Sequence, residues 1–311
     1  MTLTIASMPA YNEEQSIADM IKGCENYVDK IVVVDDGSID ATAQIALALN
    51  AHVVRHPRNM GYGAALRSCF EEARKMGADR MVIIDSDGQH DTEDIPKLLE
   101  PISRGYDLVI GSRFITKKPE MVPLYRKAGM KVLDAVTNFL NEVKVSDSQC
   151  GFRAYSRHAI EAIQISENGM SAGSEILLQI KENNLRIKEV GISCNYDLEN
   201  TSKQDPVTHG LDVILYLMRV LKEKKPMHYF AFAGISFMGA GFVEGLNSLK
   251  VISLGGDLDL VMMLAALVTI MLILLGAGMI FIGIARHSGL RSALLSRTGK
   301  LIRLSSRLLK L

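Results

Sequence analysis

Two aspartates follow directly after an apolar run in the segment MVIIDSDGQH, residues 81–90. Asp85 and Asp87 are two positions apart, and side chains at that spacing on an extended chain point to the same side. Two neighbouring carboxylates repel each other unless a cation lies between them. Oxygen ligands of this kind suit Mg²⁺ or Mn²⁺, which keep coordination positions open for phosphate oxygens. The pair therefore predicts a metal site.

Three other kinds of site use similar residues. A calcium loop of the EF-hand type that begins at Asp85 requires glutamate at its twelfth position, which is Pro96, so this alternative is excluded. A phosphatase of the haloacid-dehalogenase type requires the motif DxDGT near the N-terminus, and Gln89 stands in place of the threonine. A solvated turn after a strand stays open as the third alternative.

Polar residues that suit a nucleotide follow three other apolar runs. IVVVDDGS ends with Asp35 and Asp36, whose carboxylates can accept hydrogen bonds from a base or a ribose. PAYNEE, residues 9–14, forms a short turn where backbone groups can meet a nucleotide. RNMGYGAAL resembles the first part of a dinucleotide fingerprint, but Leu66 stands where the third glycine belongs. A dehydrogenase is therefore disfavoured.

The elements that carry these residues alternate along residues 1–115, with short apolar runs separated by helical patterns. Continuous apolar strands between helices predict an α/β fold with a mostly parallel sheet that is covered on both faces. In such sheets ligands bind at the carboxyl ends of the strands, where all four aspartates fall. Asn12 is expected to cap the first helix, and Gly77 to end the third.

Charge and cysteine usage exclude some classes of protein. The chain has 35 basic and 35 acidic residues, but residues 286–311 contain only basic ones, so the rest is net acidic. This argues against a nucleic-acid-binding protein with a basic globular face. The four cysteines form no CxxC motif and fit reduced thiols in a cytoplasmic domain. The N-terminus lacks a basic region followed by an apolar run, so no signal peptide is expected.

The composition becomes apolar near Pro226. Two segments, at about 229–246 and 258–284, approach or exceed the roughly 20 residues that cross a membrane. Lysines precede the first segment and a basic tail, 288–311, follows the second. The positive-inside rule then places both termini and the globular domain in the cytoplasm. The tail has leucines and basic residues at helical spacing, which indicates either an interfacial helix drawn to anionic lipid or a disordered charged tail.

Several motifs together resemble a known family. They are, in chain order, PAYNEE, VVVDDGSIDAT, RNMGYGAAL, IIDSDGQ and LVIGSRF. Their combination and order over about residues 1–200 closely resemble family 2 glycosyltransferases of the GT-A fold. The later segment SDSQCGFRAYSR and the paired apolar segments resemble the dolichyl-phosphate mannose synthase branch, whose members transfer one sugar from a nucleotide donor to polyprenyl phosphate.

The resemblance implies a domain organisation. A GT-A catalytic domain occupies residues 1–205 and an amphipathic interface helix occupies residues 206–225. A two-helix transmembrane hairpin follows within 226–287, and then the basic tail. The chain is thus expected to be a membrane protein with two spans that contacts lipid. A homo-oligomer is left open.

The resemblance also implies site residues. A Mg²⁺ or Mn²⁺ ion is held by Asp85, Asp87 and Gln89. The donor nucleotide sugar is bound by Pro9, Tyr11, Glu13, Asp36, Asp85, Ser86 and Asp87. The acceptor phosphate is bound by Arg113, Arg126, Ser202 and Lys203. The catalytic residues are Asp87, Arg113 and Arg126. The mannose synthases usually carry an arginine shortly before the Ser-Lys pair, where this chain has Leu198 and Asn200.

The implied reaction is a metal-dependent, inverting transfer of one hexose to dolichyl or polyprenyl phosphate. The donor is GDP-mannose, UDP-glucose or UDP-N-acetylglucosamine. Asp147 is either a contact to sugar or acceptor, or a turn residue. His90 is either a metal ligand or solvent-facing, and His209 is a candidate for a flap over the site.

Two other functions stay open. A non-catalytic membrane scaffold could retain the GT-A fold, although the intact acid pair argues against it. A processive polysaccharide synthase is disfavoured, because such enzymes commonly use a QxxRW segment and the chain has no tryptophan.

Overall fold

The computed structural model describes residues 2–115, 131, 134–135, 137–139, 145–195, 206–253 and 260–308, with only the backbone described for 206–210, 251–253, 260–261 and 287–308. The chain divides into two compact units, residues 1–217 and 218–311. The strands are β1 Thr4–Ala10, β2 Lys30–Asp35, β3 His52–Arg55, β4 Arg80–Ile83, β5 Leu108–Ser112, β6 Arg153–Ser156 and β7 Ile187–Gly191. The helices are α1 Ile17–Cys24, α2 Thr42–Ala48, α3 Tyr62–Met76, α4 Ile95–Ser103, α5 Arg157–Ala162, α6 Ala172–Glu182, α7 Pro206–Lys224, α8 Pro226–Ser253 and α9 Leu260–Leu308.

The first unit contains a seven-stranded sheet with the order β3-β2-β1-β4-β6-β5-β7. Among the seven strands that the structure describes, only β6 runs antiparallel, pairing with β4 on one side and β5 on the other. The mostly parallel sheet expected from the sequence is therefore confirmed. The sequence did not reveal β6, because its four residues RAYS include the charged Arg153 and form no apolar run.

The central strands are buried along their length, as a sheet covered by helices on both faces requires. Helix α3 ends as expected at Gly77, which has the left-handed φ of 66°. The expected cap at Asn12 is wrong, because α1 begins only at Ile17, after Ser16. Asn12 instead has a φ of 56° in the turn after β1, where its side chain accepts a hydrogen bond from the Ile39 backbone. The loop between β1 and α1 therefore includes residues 11–16, of which 13–16 were expected to belong to the helix.

The second unit contains two helical segments that are long and apolar enough to cross a membrane, Pro226–Lys250 and Met262–Arg286. Their mean hydropathies are 1.3 and 2.7. The two helices pack closely through glycines: a Cβ atom on Gly234 would lie 2.5 Å from the carbonyl oxygen of Gly276, and the reverse also holds. Helix α9 continues without a break through residue 308. The helix itself therefore does not mark the boundary between the apolar span and the basic tail, which stays a prediction at residue 288.

Candidate active site

A cavity of about 250 Å³ opens at the carboxyl ends of β1, β2 and β4. The residues expected to bind the donor lie along it, namely Pro9, Tyr11, Glu13, Asp36, Asp85, Ser86 and Asp87. Because β1 lies between β2 and β4, Asp36 and the pair Asp85 and Asp87 lie at rims two strands apart, or about 10 Å. A nucleotide can span this distance with its base at one rim and its diphosphate at the other.

Asp36, at the end of β2, is buried and accepts three hydrogen bonds from the protein. Its Oδ1 accepts one from His56 Nδ1 at 2.6 Å and one from the Met60 backbone at 2.9 Å. Its Oδ2 accepts one from the Gly61 backbone at 2.9 Å. The Asp36 carboxylate therefore fixes the loop between β3 and α3 against the end of β2.

The loop after β2 packs tightly on the same segment. Gly37 has a φ of 75°, and a Cβ atom there would collide with the backbone of Arg58. Asp35, the neighbour of Asp36, turns away from the cavity and accepts a hydrogen bond from the Ser38 backbone at 2.9 Å. Its other oxygen lies 3.1 Å from Arg55 Nε. Asp35 therefore stabilises the turn, whereas Asp36 lines the cavity.

Asp85 and Asp87 lie in a turn beyond β4, which ends at Ile83. The strand alternation from which their convergence was predicted therefore does not apply, and the turn brings them together instead. Burial, and then the nearby charge of Asp85, raise the pKa of Asp87 to about 7. The Gln89 backbone N–H, 3.0 Å from Asp87 Oδ1, opposes this shift only in part.

The turn is held from two sides. Ser86 Oγ donates to the Pro9 carbonyl at 2.8 Å, and the Ser86 carbonyl accepts from Ser16 Oγ at 2.6 Å. The Tyr62 hydroxyl donates to Asp85 Oδ1 at 3.2 Å. Gly151 leaves room for this contact, because a Cβ atom there would lie 2.6 Å from Asp85 Oδ2. The direction of the Asp85 carboxylate is therefore set by the protein.

The donor set fits a divalent cation. Within the described ranges, no group of three or more His, Cys, Asp or Glu side chains could hold a metal by itself. Asp85 and Asp87 would supply two carboxylates, which leaves coordination positions for phosphate oxygens. Gln89, expected as a third ligand, lines a neighbouring cavity that Asp87 also borders. A cation would also offset the repulsion and desolvation that raise the pKa of Asp87.

Arg113 forms a bidentate ion pair with Asp147. Its Nε and Nη2 donate to the two Asp147 oxygens at 2.7 and 2.8 Å. Asp147 is fully buried and orients Arg113, a role that neither of the alternatives expected from the sequence included. Arg126, Ser202 and Lys203 lie outside the described residues, as does the side chain of His209.

His90 is buried, so the expectation that it faces solvent is wrong. Its Nε2 lies 3.9 Å from Asp85 Oδ2, and its ring packs against that of Phe152. Burial lowers the pKa of His90, which favours the neutral ring.

Comparison with known proteins identifies the family. The model of Glycosyl transferase family 2 matches residues 6–164, half of the chain. The chain belongs to this family. The sequence-based assignment to a family 2 glycosyltransferase of the GT-A fold is thereby confirmed.

Two similar proteins are archaeal. A UDP-N-acetylglucosamine–dolichyl-phosphate N-acetylglucosaminyltransferase of Methanococcus voltae is 33% identical over 70% of this chain and 95% of its own length. A dolichyl-phosphate hexose transferase of Haloferax volcanii is 34% identical over 70% of this chain and 93% of its own.

The fold of this glycosyltransferase also matches solved structures. A glucosyl-3-phosphoglycerate synthase from Mycobacterium tuberculosis, in complex with Mn²⁺ and UDP-glucose, is 25% identical with a TM-score of 0.52. The match covers 70% of this chain and 79% of that one. The synthase has a sugar nucleotide and a divalent cation in the same fold.

Sequence reasoning missed three residues of the glycosyltransferase site. They are His56, Tyr62 and Gly151, which contact or flank the aspartates of the two rims. His56 forms no metal-ligand spacing with the other histidines, so its residue type and spacing alone do not mark it as a site residue. A signal was nevertheless present, since the loop RHPRNMGYG follows β3 and the strand order places it beside the end of β2.

Proposed function

We propose that this glycosyltransferase transfers one hexose from a nucleotide sugar to polyprenyl or dolichyl phosphate, with Mg²⁺ or Mn²⁺ at Asp85, Asp87 and Gln89. The observation that carries the proposal is the half-buried acid pair that lines the rim of the cavity, where Asp87 has a raised pKa. The names of the archaeal relatives support the class of acceptor.

The donor is proposed to lie across the strand ends, with its base near Asp36 and its diphosphate near Asp87. When bound, a divalent cation would neutralise the charge that develops on the leaving nucleotide. The chain itself holds Asp85 in one direction through Tyr62 and fixes the turn through Ser86. The site is thus preorganised before a donor arrives.

The acceptor phosphate is already an anion at neutral pH, so its attack on the anomeric carbon needs no strong general base. The protein mainly orients the two anionic substrates in line, and the anomeric configuration is proposed to invert. Arg113 suits a phosphate because its planar guanidinium is held in one orientation by Asp147. Arg126, Ser202 and Lys203 are proposed to complete the acceptor site.

A membrane location explains how a soluble donor meets an acceptor fixed in the bilayer. The two apolar helical segments are proposed to form a transmembrane hairpin, with the catalytic unit and both termini in the cytoplasm. Helix α7 has an exposed apolar ridge formed by Leu211, Ile214 and Leu215, while Val213 and Leu217 on its other side are buried. This ridge is proposed to rest on the membrane surface.

A transfer assay tests the proposal. The full-length chain in detergent is incubated with polyprenyl phosphate and radiolabelled nucleotide sugars, with Mg²⁺, with Mn²⁺ or with EDTA. We expect a labelled lipid product that requires the cation and is lost in Asp87→Asn but not in Asp19→Asn, an equivalent change at an exposed position. A folded protein that yields no lipid product with any donor would favour the scaffold.

A second assay tests the acceptor site. Arg126→Ala should raise the KM for polyprenyl phosphate much more than it weakens binding of the donor. Equal losses for both substrates would contradict the placement of Arg126 at the acceptor phosphate.

A further inference from the structure

The carboxylate of Asp36 has one hydrogen-bond-accepting position left for a ligand. A carboxylate offers about four such positions, two on each oxygen. His56 Nδ1 and the Met60 backbone fill those of Oδ1, and the Gly61 backbone fills one of Oδ2. The remaining position is therefore on Oδ2, whereas Oδ1 is saturated by the protein.

The proton on His56 is fixed by its partners. A carboxylate only accepts hydrogen bonds, so the contact of 2.6 Å requires that Nδ1 of His56 carries a proton and donates it. On the other side of the ring, Nε2 lies 2.9 Å from Ser68 Oγ, which can donate to it. Both ring nitrogens of His56 thus have hydrogen-bond partners within the protein, Asp36 and Ser68. The saturation of Asp36 Oδ1 therefore does not depend on a ligand.

The base is the part of a donor that lies nearest to Asp36. The order base, ribose, diphosphate along a nucleotide corresponds to the order β2, β1, β4 along the sheet. With the diphosphate at Asp85 and Asp87, the ribose falls at the end of β1, near Pro9 and Tyr11. The base then reaches the β2 rim, where Asp36 lines the cavity.

Uracil and guanine present different edges to a carboxylate. Uracil has a single donor, N3–H, between two carbonyl oxygens. Guanine has two adjacent donors, N1–H and the N2 amino group, which pair with both oxygens of a carboxylate. Because Asp36 can accept at Oδ2 only, guanine would leave one buried donor without a partner, which is costly. Cytosine and adenine have no ring N–H at the corresponding position.

Resting on the proposed donor site, we infer that Asp36 selects uracil, so that the donor is a uridine diphosphate sugar rather than a guanosine diphosphate sugar. His56 is the positioning residue for this selection, because its Nδ1–H occupies the position on Oδ1 that guanine would need. His56 acts through Asp36 and need not touch the nucleotide.

Equilibrium binding of UDP and GDP tests this selection without turnover. Isothermal titration calorimetry uses the full-length chain in detergent with the same Mg²⁺ concentration for each nucleotide. We expect UDP to bind roughly tenfold to a hundredfold more tightly, as for a site that leaves one polar group unpaired with the wrong ligand. Equal affinities, or tighter binding of GDP, would overturn the selection of uracil and leave the glycosyl transfer standing. Binding of neither nucleotide would overturn the donor site itself.

A pair of variants tests the role of His56. The amide nitrogen of asparagine lies close to the place of Nδ1, whereas that of glutamine lies close to the place of Nε2. His56→Asn should therefore keep the preference for UDP, and His56→Gln should reduce the ratio of the two affinities at least severalfold. A general loosening of the fold would lower the affinities for UDP and GDP together and leave their ratio unchanged. A change in the ratio therefore reports a loss of selection between the two bases. An unchanged ratio in His56→Gln would overturn the role of His56.

Discussion

The rims of β2 and β4 each carry an aspartate that lines the cavity, but Asp36 is buried and Asp87 is half-buried, and the two have different partners. Asp36 is surrounded by three donors, whereas Asp87 accepts one backbone hydrogen bond and lies near the acidic groups of Asp85 and Glu13. Folding thus fills all but one of the hydrogen-bond-accepting positions of Asp36, whereas Asp87 is left in need of a cation. The number and charge of its partners, and not burial alone, decide which kind of ligand each carboxylate can take.

The largest expected effect is on catalysis at the β4 rim. Asp87→Asn removes one of the two carboxylates proposed to hold the cation, and metal assistance is worth several kcal/mol in the transition state. We expect sugar transfer to fall by roughly a thousandfold or more. Initial rates with saturating donor, polyprenyl phosphate and Mn²⁺ measure this, with Asp19→Asn as the matched control. Near-normal rates in Asp87→Asn would refute the metal site.

The same rim should make stability depend on pH when no metal is added. The folded pKa of Asp87 is about 7, above its ordinary value of 3.8. Between these values the folded protein holds a proton that the unfolded chain has released, so stability should fall as pH rises from about 4 to 7. The loss is on the order of a few kcal/mol.

Thermal unfolding of the full-length chain in detergent with EDTA measures this loss. Because asparagine does not titrate, Asp87→Asn should flatten this part of the profile and should stabilise the metal-free protein at pH 7. Added Mn²⁺ should restore stability to the wild type but not to the variant. A wild-type profile that is flat over this window would contradict the electrostatic difference between the rims.

At the β2 rim, replacing the aspartate with asparagine should have the opposite effect on stability: Asp36→Asn should destabilise the protein. Asp36→Asn replaces a group that only accepts hydrogen bonds with one that has a single acceptor oxygen. At least one of His56, Met60 and Gly61 then loses its partner, at a cost of about 1–3 kcal/mol. We expect a lower melting temperature than wild type and UDP affinity reduced about tenfold or more. A melting temperature at or above that of the wild type would contradict the role of Asp36 in fixing the loop.

The sequence predicts the architecture well because its signals are local. Apolar strands such as IVVVD can be recognised without knowing what packs on them, and Gly77 ends α3 by its own backbone freedom. Strand β6 cannot be recognised in this way, because its residue Arg153 is charged and yet buried. Its guanidinium is satisfied by the carbonyls of Cys150, Gly173 and Ser148, which are contacts made only in the folded chain.

Only part of the site can be predicted from the sequence, because only part of it gives a local signal. The aspartates are visible because they follow strands, but their partners come from elsewhere in the chain. His56 lies 20 residues after Asp36, and Gly151 approaches Asp85 from the segment before β6. Asp147, which orients Arg113, is separated from it by 34 residues. Residue types and spacing do not reveal such pairs, because only the strand order places them together.

The smallest expected effect concerns the link between the two rims. Ser86 Oγ donates to the carbonyl of Pro9, which ties the turn of β4 to the end of β1 between the rims. Ser86→Ala removes this buried hydrogen bond and should lower stability by about 1 kcal/mol, with a modest loss of transfer through a less well-fixed Asp85 and Asp87. Thermal unfolding and the Mn²⁺ dependence of the transfer rate measure the two effects.

Ser86→Cys offers a comparison of similar size with a weaker donor, and it should fall between alanine and the wild type in both measurements. The control Ser103→Ala removes a hydroxyl from an exposed hydrogen bond near the end of α4 and should change neither the stability nor the Mn²⁺ dependence appreciably. If Ser86→Ala alters the apparent affinity for UDP in the absence of metal as much as that for Mn²⁺, the hydroxyl contacts the donor directly. Ser86 would then act by contacting the donor and not by positioning Asp85 and Asp87.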